Sequence, residues 1–132
     1  MELSPMLLQF GGSLVAILVV AALVAMMKLG GKPTLKNEAE VGVAAGEVEY
    51  GFDAARSSIT RGGNAALARD ADGRIMVIKR HGNKFVGRIL TPSAKAQEEV
   101  DGLTVDPGES QFGSVRLSLS DASYWADAIN RL

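Results

Sequence analysis

Near the start of the chain, 22 consecutive residues, Met6 to Met27 (MLLQFGGSLVAILVVAALVAMM), carry no charge, and Gln9 and Ser13 are their only polar side chains. At about 1.5 Å per residue a helix of that length reaches about 33 Å, against a hydrocarbon core of about 30 Å. A helix also satisfies its own backbone hydrogen bonds, which a bilayer requires. The run therefore predicts a transmembrane helix. A cleavable signal peptide is the rival reading; it calls for a basic N-terminal region and an apolar stretch of about 7–15 residues. The chain instead opens Met1-Glu2, with no Lys or Arg before Lys28. A buried core helix, the other rival, fits a shorter run.

Lys28, Lys32 and Lys36 follow the run and Glu2 precedes it. Basic residues beside a span stay cytoplasmic. The expected orientation is thus N-terminus outside, with residues 28–132 in the cytoplasm. Expected domains are 1–28 (tail and transmembrane helix), 29–36 (a Gly/Pro juxtamembrane hinge) and 37–132 (one small domain). The absence of cysteine rules out thiolate metal sites and disulfides. A net charge of −1 supplies no global field toward nucleic acid, and no nucleic-acid partner is expected.

Asn37 followed by Glu40 reads as a helix N-cap with a capping-box acid, predicting a helix over 38–50. Val41, Ala45, Val48 and Phe52 recur on its expected buried face. From Asp53 the period becomes two. Strands are predicted at 56–60, 65–69, 74–79 and 84–91, separated by Gly/Asn/Asp turns, as in an antiparallel meander. In the third, Ile75 and Val77 alternate with Met76 and Ile78, so both faces are apolar: one packs on a helix, the other on a second element. Residues 93–113 read as irregular, with a short helix over 94–100. Val115, Leu117 and Leu119 alternate cleanly as a fifth strand, and Ser120-Asp121 is expected to cap a final helix whose stripe is Trp125, Ile129 and Leu132. The expected fold class is α+β: an N-terminal transmembrane helix, then an antiparallel sheet of about five strands with two packed helices gathered on one face.

The segments Thr34–Glu40, Tyr50–Asp53, Ala66–Arg74, Arg80–Phe85 and Arg88–Leu90 resemble a group of short single-pass membrane-anchored proteins of alphaproteobacteria that carry no assigned function. The resemblance spans about residues 10–91. It implies an anchor, a compact domain and a bacterial inner membrane, and carries over no catalytic residue.

Chemistry-bearing motifs are scarce. His81 is the one histidine and sits in a predicted turn, so no His-based metal cluster can form. Neither a phosphate-binding loop nor a dinucleotide fingerprint is present. No catalytic residue, metal ligand or cofactor is expected. Charge is segregated: Lys79, Arg80, His81, Lys84, Arg88 and Lys95 occur without an acid, then Glu98, Glu99, Asp101, Asp106 and Glu109 without a base. Lys79, Arg80, His81, Lys84 and Arg88 are the candidate contacts to a partner or to anionic lipid, at about 1 kcal/mol for each cation near such a leaflet. Within the apolar run, Gly12/Ala16 and Ala21/Ala25 form small-xxx-small pairs suited to close helix packing.

The expected function is a non-catalytic, single-pass membrane-anchored interaction protein, an accessory subunit or assembly factor of an inner-membrane complex. Its partners would be the bilayer and a membrane protein or a second copy. The alternatives are a membrane-surface module binding anionic lipid, and an enzyme with an unrecognised carboxylate or hydroxyl site.

Overall fold

A computed structural model of the chain describes residues 14–21 and 33–132. The chain divides into two units, Met1–Lys32 and Pro33–Leu132. In the first, residues 14–21 are helical (α1), with Leu14, Val15, Ile17, Leu18, Val19 and Val20 exposed. Among the described residues no helix is long and apolar enough to cross a membrane. This corrects the first element of the expected fold class, which called for a helix of about 20 apolar residues. The remainder of Met6–Met27 lies outside the described residues.

The second unit is α+β, but its strands differ from expectation in number and arrangement. Seven strands form two antiparallel sheets, where one sheet of about five was expected. The first sheet is the meander β1 (Ala54–Ile59), β2 (Ala65–Asp70), β3 (Ile75–His81), β4 (Lys84–Ile89), in that spatial order. The second is β5 (Lys95–Glu99), β6 (Gly102–Asp106), β7 (Val115–Ser118). Two helices, α2 (Glu38–Val48) and α3 (Ala122–Asn130), complete it, on opposite sides of the first sheet rather than gathered on one face as expected.

The added hairpin occupies the stretch expected to be irregular. Lys95-Ala-Gln-Glu-Glu99 has weak strand propensity and reads by composition as a helical turn. Pairing overrides it: Ala96 faces Val105 and Glu98 faces Leu103 across the ladder. Ala94 and Ala96 are thereby buried in the core while Lys95, Gln97, Glu98 and Glu99 stay exposed. The Asn130 side chain closes the outer edge of β5. Its Nδ2 donates to the Ala96 carbonyl (2.8 Å) and its Oδ1 accepts from the Ala96 N–H (2.9 Å), as a neighbouring strand would. Such capping removes a free pairing edge.

The core has two parts, one on each face of the first sheet. Ala66, Ala68, Met76 and Ile78 pack with Val41, Ala44 and Ala45 of α2, and with Leu35 and Phe52. Ala65, Leu67, Ile75 and Val77 pack with Leu103, Val105, Val115 and Leu117 of the second sheet and with Trp125, Ala126 and Ile129 of α3. The two-faced strand expected from Ile75–Ile78 is therefore β3, and β2 shares its character. Trp125 is fully buried and heads the large core side chains; Leu132 of the expected stripe is exposed, at 37 %.

One close approach fixes how β6 meets β7. A Cβ on Gly102 would stand 2.0 Å from the Leu117 carbonyl oxygen, so only glycine fits there. Gly102→Ala is expected to lower unfolding stability by about 1–3 kcal/mol, the usual cost of overpacking, without removing the meander. Chemical denaturation read at the Trp125 fluorescence checks this; an unchanged midpoint would contradict it.

Candidate interaction surface

Asn37 caps α2 as expected, but Glu40 reaches the Lys36 N–H rather than the Asn37 N–H that a capping box would use. The Asn37 side chain accepts from the Glu40 N–H (2.9 Å), and the Glu40 carboxylate accepts from the Lys36 N–H (2.8 Å). The preceding chain is pinned to the first sheet: the Leu35 N–H donates to the Gly63 carbonyl (2.8 Å), and Arg80 Nη1 donates to the Pro33 carbonyl (3.0 Å). Gly63 has φ +75° and lies under Leu35, where a Cβ would come within 2.6 Å of the Leu35 oxygen.

Between this pinned segment, α2 and the β4 residue Phe85 lies an open recess of about 510 Å³. Leu35, Val43, Ala44 and Phe85 give it an apolar lining, and Glu40 and Glu47 stand among the residues around it. Glu40, Val43 and Glu47 sit at i, i+3 and i+7, on one face of the helix. Val43 is 64 % exposed, while Val41, Ala44 and Ala45 on the inner side are buried. Val41 and Ala45 belong to the buried face expected from the sequence, and Val43 is not among the residues its spacing singles out. The available signal was an apolar residue flanked on its own helical face by two acids.

The expected basic contacts are divided by the fold. Lys79 Nζ donates to the Phe112 carbonyl and lies 4.3 Å from the centroid of that ring. Arg88 pairs with Glu109 (Nε–Oε2 2.8 Å), donates to its neighbour Gly87 and stands 5.0 Å from the same ring. Arg80 holds Pro33. His81 and Lys84 are exposed and face each other at the β3–β4 turn. The acidic and basic blocks of the sequence thus meet, through Arg88 and Glu109. Of the expected helix-packing set, Ala16 and Ala21 lie in α1 and are exposed, while Gly12 and Ala25 fall outside the described residues.

A second polar cluster joins β1 to α3. The Asp121 carboxylate, at the N-cap of α3, does not cap the helix. Its Oδ2 accepts instead from Ser58 Oγ (2.6 Å), Trp125 Nε1 (3.1 Å) and Arg56 Nη2 (3.4 Å). Trp125 Nε1 also donates to Ser58 Oγ (2.9 Å), and the Arg56 guanidinium lies 3.4 Å over the Tyr124 ring. Partial burial raises the Asp121 pKa, but the Ser58, Arg56 and Trp125 hydrogen bonds outweigh it and the net shift is downward. A carboxylate of lowered pKa is a weak base. The histidine that could activate Ser58 is distant: Ser58 is in register with Leu67, Leu67 with Val77, and His81 lies four residues further along β3. At about 4.8 Å per strand and 3.3 Å per residue, that is well beyond hydrogen-bond reach. The cluster works as a clasp that gives the buried indole its polar partners.

Asp70 makes the tightest ion pair of the first sheet. Its carboxylate accepts from Arg74 Nε (2.6 Å) and from the Asp72 and Arg74 N–H groups, closing the β2–β3 turn. Among the described residues no group of three His, Cys, Asp or Glu could hold a metal ion. Comparison with protein-family models, with curated proteins and with solved structures finds no match to this chain.

Burial raises the Asp70 pKa, while the Arg74 side-chain and backbone hydrogen bonds and its charge lower it more, so the net shift is below the ordinary 3.8. A depressed carboxyl pKa adds stability that is complete above 3.8 and is lost as pH falls through the lower folded-state value. Asp70→Asn is therefore expected to lower stability by about 1.5–3 kcal/mol at neutral pH. The gap from the parent protein should stay constant down to about pH 4 and narrow below it. Denaturation curves across pH 2.5–7 measure this; a gap that widened toward acid would contradict it.

Proposed function

We propose that the Pro33–Leu132 unit is a non-catalytic interaction module that docks a partner protein in the recess between α2 and β4. One observation carries the reading. Val43 is a large apolar side chain left 64 % exposed in an open, apolar-lined recess, on a helix whose Val41, Ala44 and Ala45 are buried. A cleft of a few hundred Å³ with an apolar lining and a few polar groups is the ordinary form of a recognition site. Exposed apolar side chains gathered in a groove also take helical or extended segments of partners. The other polar constellations have internal duties. Ser58 and Asp121 hold Trp125, Asp70 and Arg74 close a turn, and Lys79 and Arg88 hold the Phe112 loop.

Basic contacts at the β3–β4 turn are the competing surface, through His81 and Lys84. A photo-crosslinking amino acid placed in the full chain, at Val43 in one variant and at Lys84 in another, separates the two in living cells. Adducts of discrete mass are expected from position 43 and not from position 84. Adducts from 84 alone, or from neither position, would overturn the reading.

A further inference from the structure

The recess has a charge pattern as well as an apolar lining, and the pattern bears on what fills it. Glu40 and Glu47 stand around it, and among the described residues no lysine, arginine or histidine lines it. The sequence of α2 contains three acids, Glu38, Glu40 and Glu47, and no base. Lys36, exposed between the lining residues Leu35 and Asn37, meets Glu40 through its backbone N–H, and two other nearby cations are turned to other uses. Arg80 donates to the Pro33 carbonyl. Lys84 precedes Phe85 on β4, so strand alternation places it on the opposite face, together with Val86, which packs against the other core.

We infer that the occupant of this recess is an amphipathic peptide segment of a partner protein, carrying two or three apolar anchors with Lys or Arg beside them; this rests on the docking reading above. The apolar anchors would cover Val43 and Phe85, and the basic residues would lie against Glu40 and Glu47. About 510 Å³ holds a few aliphatic side chains, in keeping with anchors spaced at i, i+3 or i+4 along one helix face. Two carboxylates bordering an apolar floor favour a cationic flank and disfavour an anionic one. An acidic segment of the same apolar content would bring like charges together.

The test uses the full chain and two synthetic fluorescent peptides with identical leucine anchors, one flanked by lysines and one by glutamates, titrated by anisotropy. The lysine peptide is expected to bind at least about tenfold more tightly than the glutamate peptide, and the ratio should shrink in high salt. Glu47→Lys should erase most of that ratio, and Val43→Asp should abolish binding of the lysine peptide. Val43→Thr, close in shape and exposed, should weaken it several-fold and guards against a folding defect in the aspartate variant; circular dichroism confirms the fold of each. Equal binding of the two peptides, still lost in Val43→Asp, would overturn the basic occupant and leave the docking reading standing. Binding of neither peptide would overturn the basic occupant as well. Lysine-peptide binding untouched by Val43→Asp and Val43→Thr would place it elsewhere and overturn both.

Discussion

Everything in the Pro33–Leu132 unit depends on one pair of strands being buried on both faces. In β2 and β3, Ala65–Ala68 and Ile75–Ile78 are each 3 % exposed or less. An antiparallel sheet with one wet face would alternate apolar and polar residues; these strands cannot, so each face needs its own cover. α2 covers the face of Ala66, Ala68, Met76 and Ile78. The second sheet and α3 cover the face of Ala65, Leu67, Ile75 and Val77. The small alanines of β2 let the covers approach closely, and the larger side chains of β3 fill the space they leave. A unit of about a hundred residues thereby obtains two cores from a single shared wall.

The covers are then tied to the wall by polar contacts that have no free partner left over: among the described residues no buried side-chain nitrogen or oxygen lacks a hydrogen bond. Trp125 shows the logic. Its indole lies in the second core, and its N–H must find an acceptor there. Ser58 on β1 and Asp121 at the start of α3 provide one each, so the same contacts attach α3 to the edge of the first sheet. Thr60 does similar service between the sheets, accepting from the Ser118 N–H at 2.7 Å while the Arg61 N–H donates to the Ser118 carbonyl. Asn130 seals the far edge. These ties leave α2 as the cover held chiefly by apolar contacts and by its N-terminal cap.

Much of this was legible in the residues. Asn37 and Glu40 marked the start of α2, the Gly/Asn/Asp turns marked the meander, and the doubled apolar run of Ile75–Ile78 required cover on both sides. Trp125 was legible as a core anchor because Ile129 shares its stripe, while Leu132, the third member, is exposed. What escaped was non-local. β5 forms because β6 lies beside it, and nothing in Lys95–Glu99 states that on its own. The basic hairpin read as a free patch because sequence separation hid the Phe112 carbonyl and Glu109, which lie 33 and 21 residues away from Lys79 and Arg88. The recess escaped for the same reason: Val43 and Phe85 come together only when α2 lies across β4. Hydropathy over Met6–Met27 predicted a span, whereas no described helix is long and apolar enough to cross a membrane.

If one wall supports both cores, neither cover can leave without exposing β2 and β3 to water. Native-state hydrogen exchange at rising denaturant measures this directly. The amides of β2 and β3 should be the slowest, and the protected amides of α2 and α3 should merge with them at a common opening free energy. Exchange of α2 or α3 through a separate, low-energy opening, with β2 and β3 remaining protected, would contradict the account.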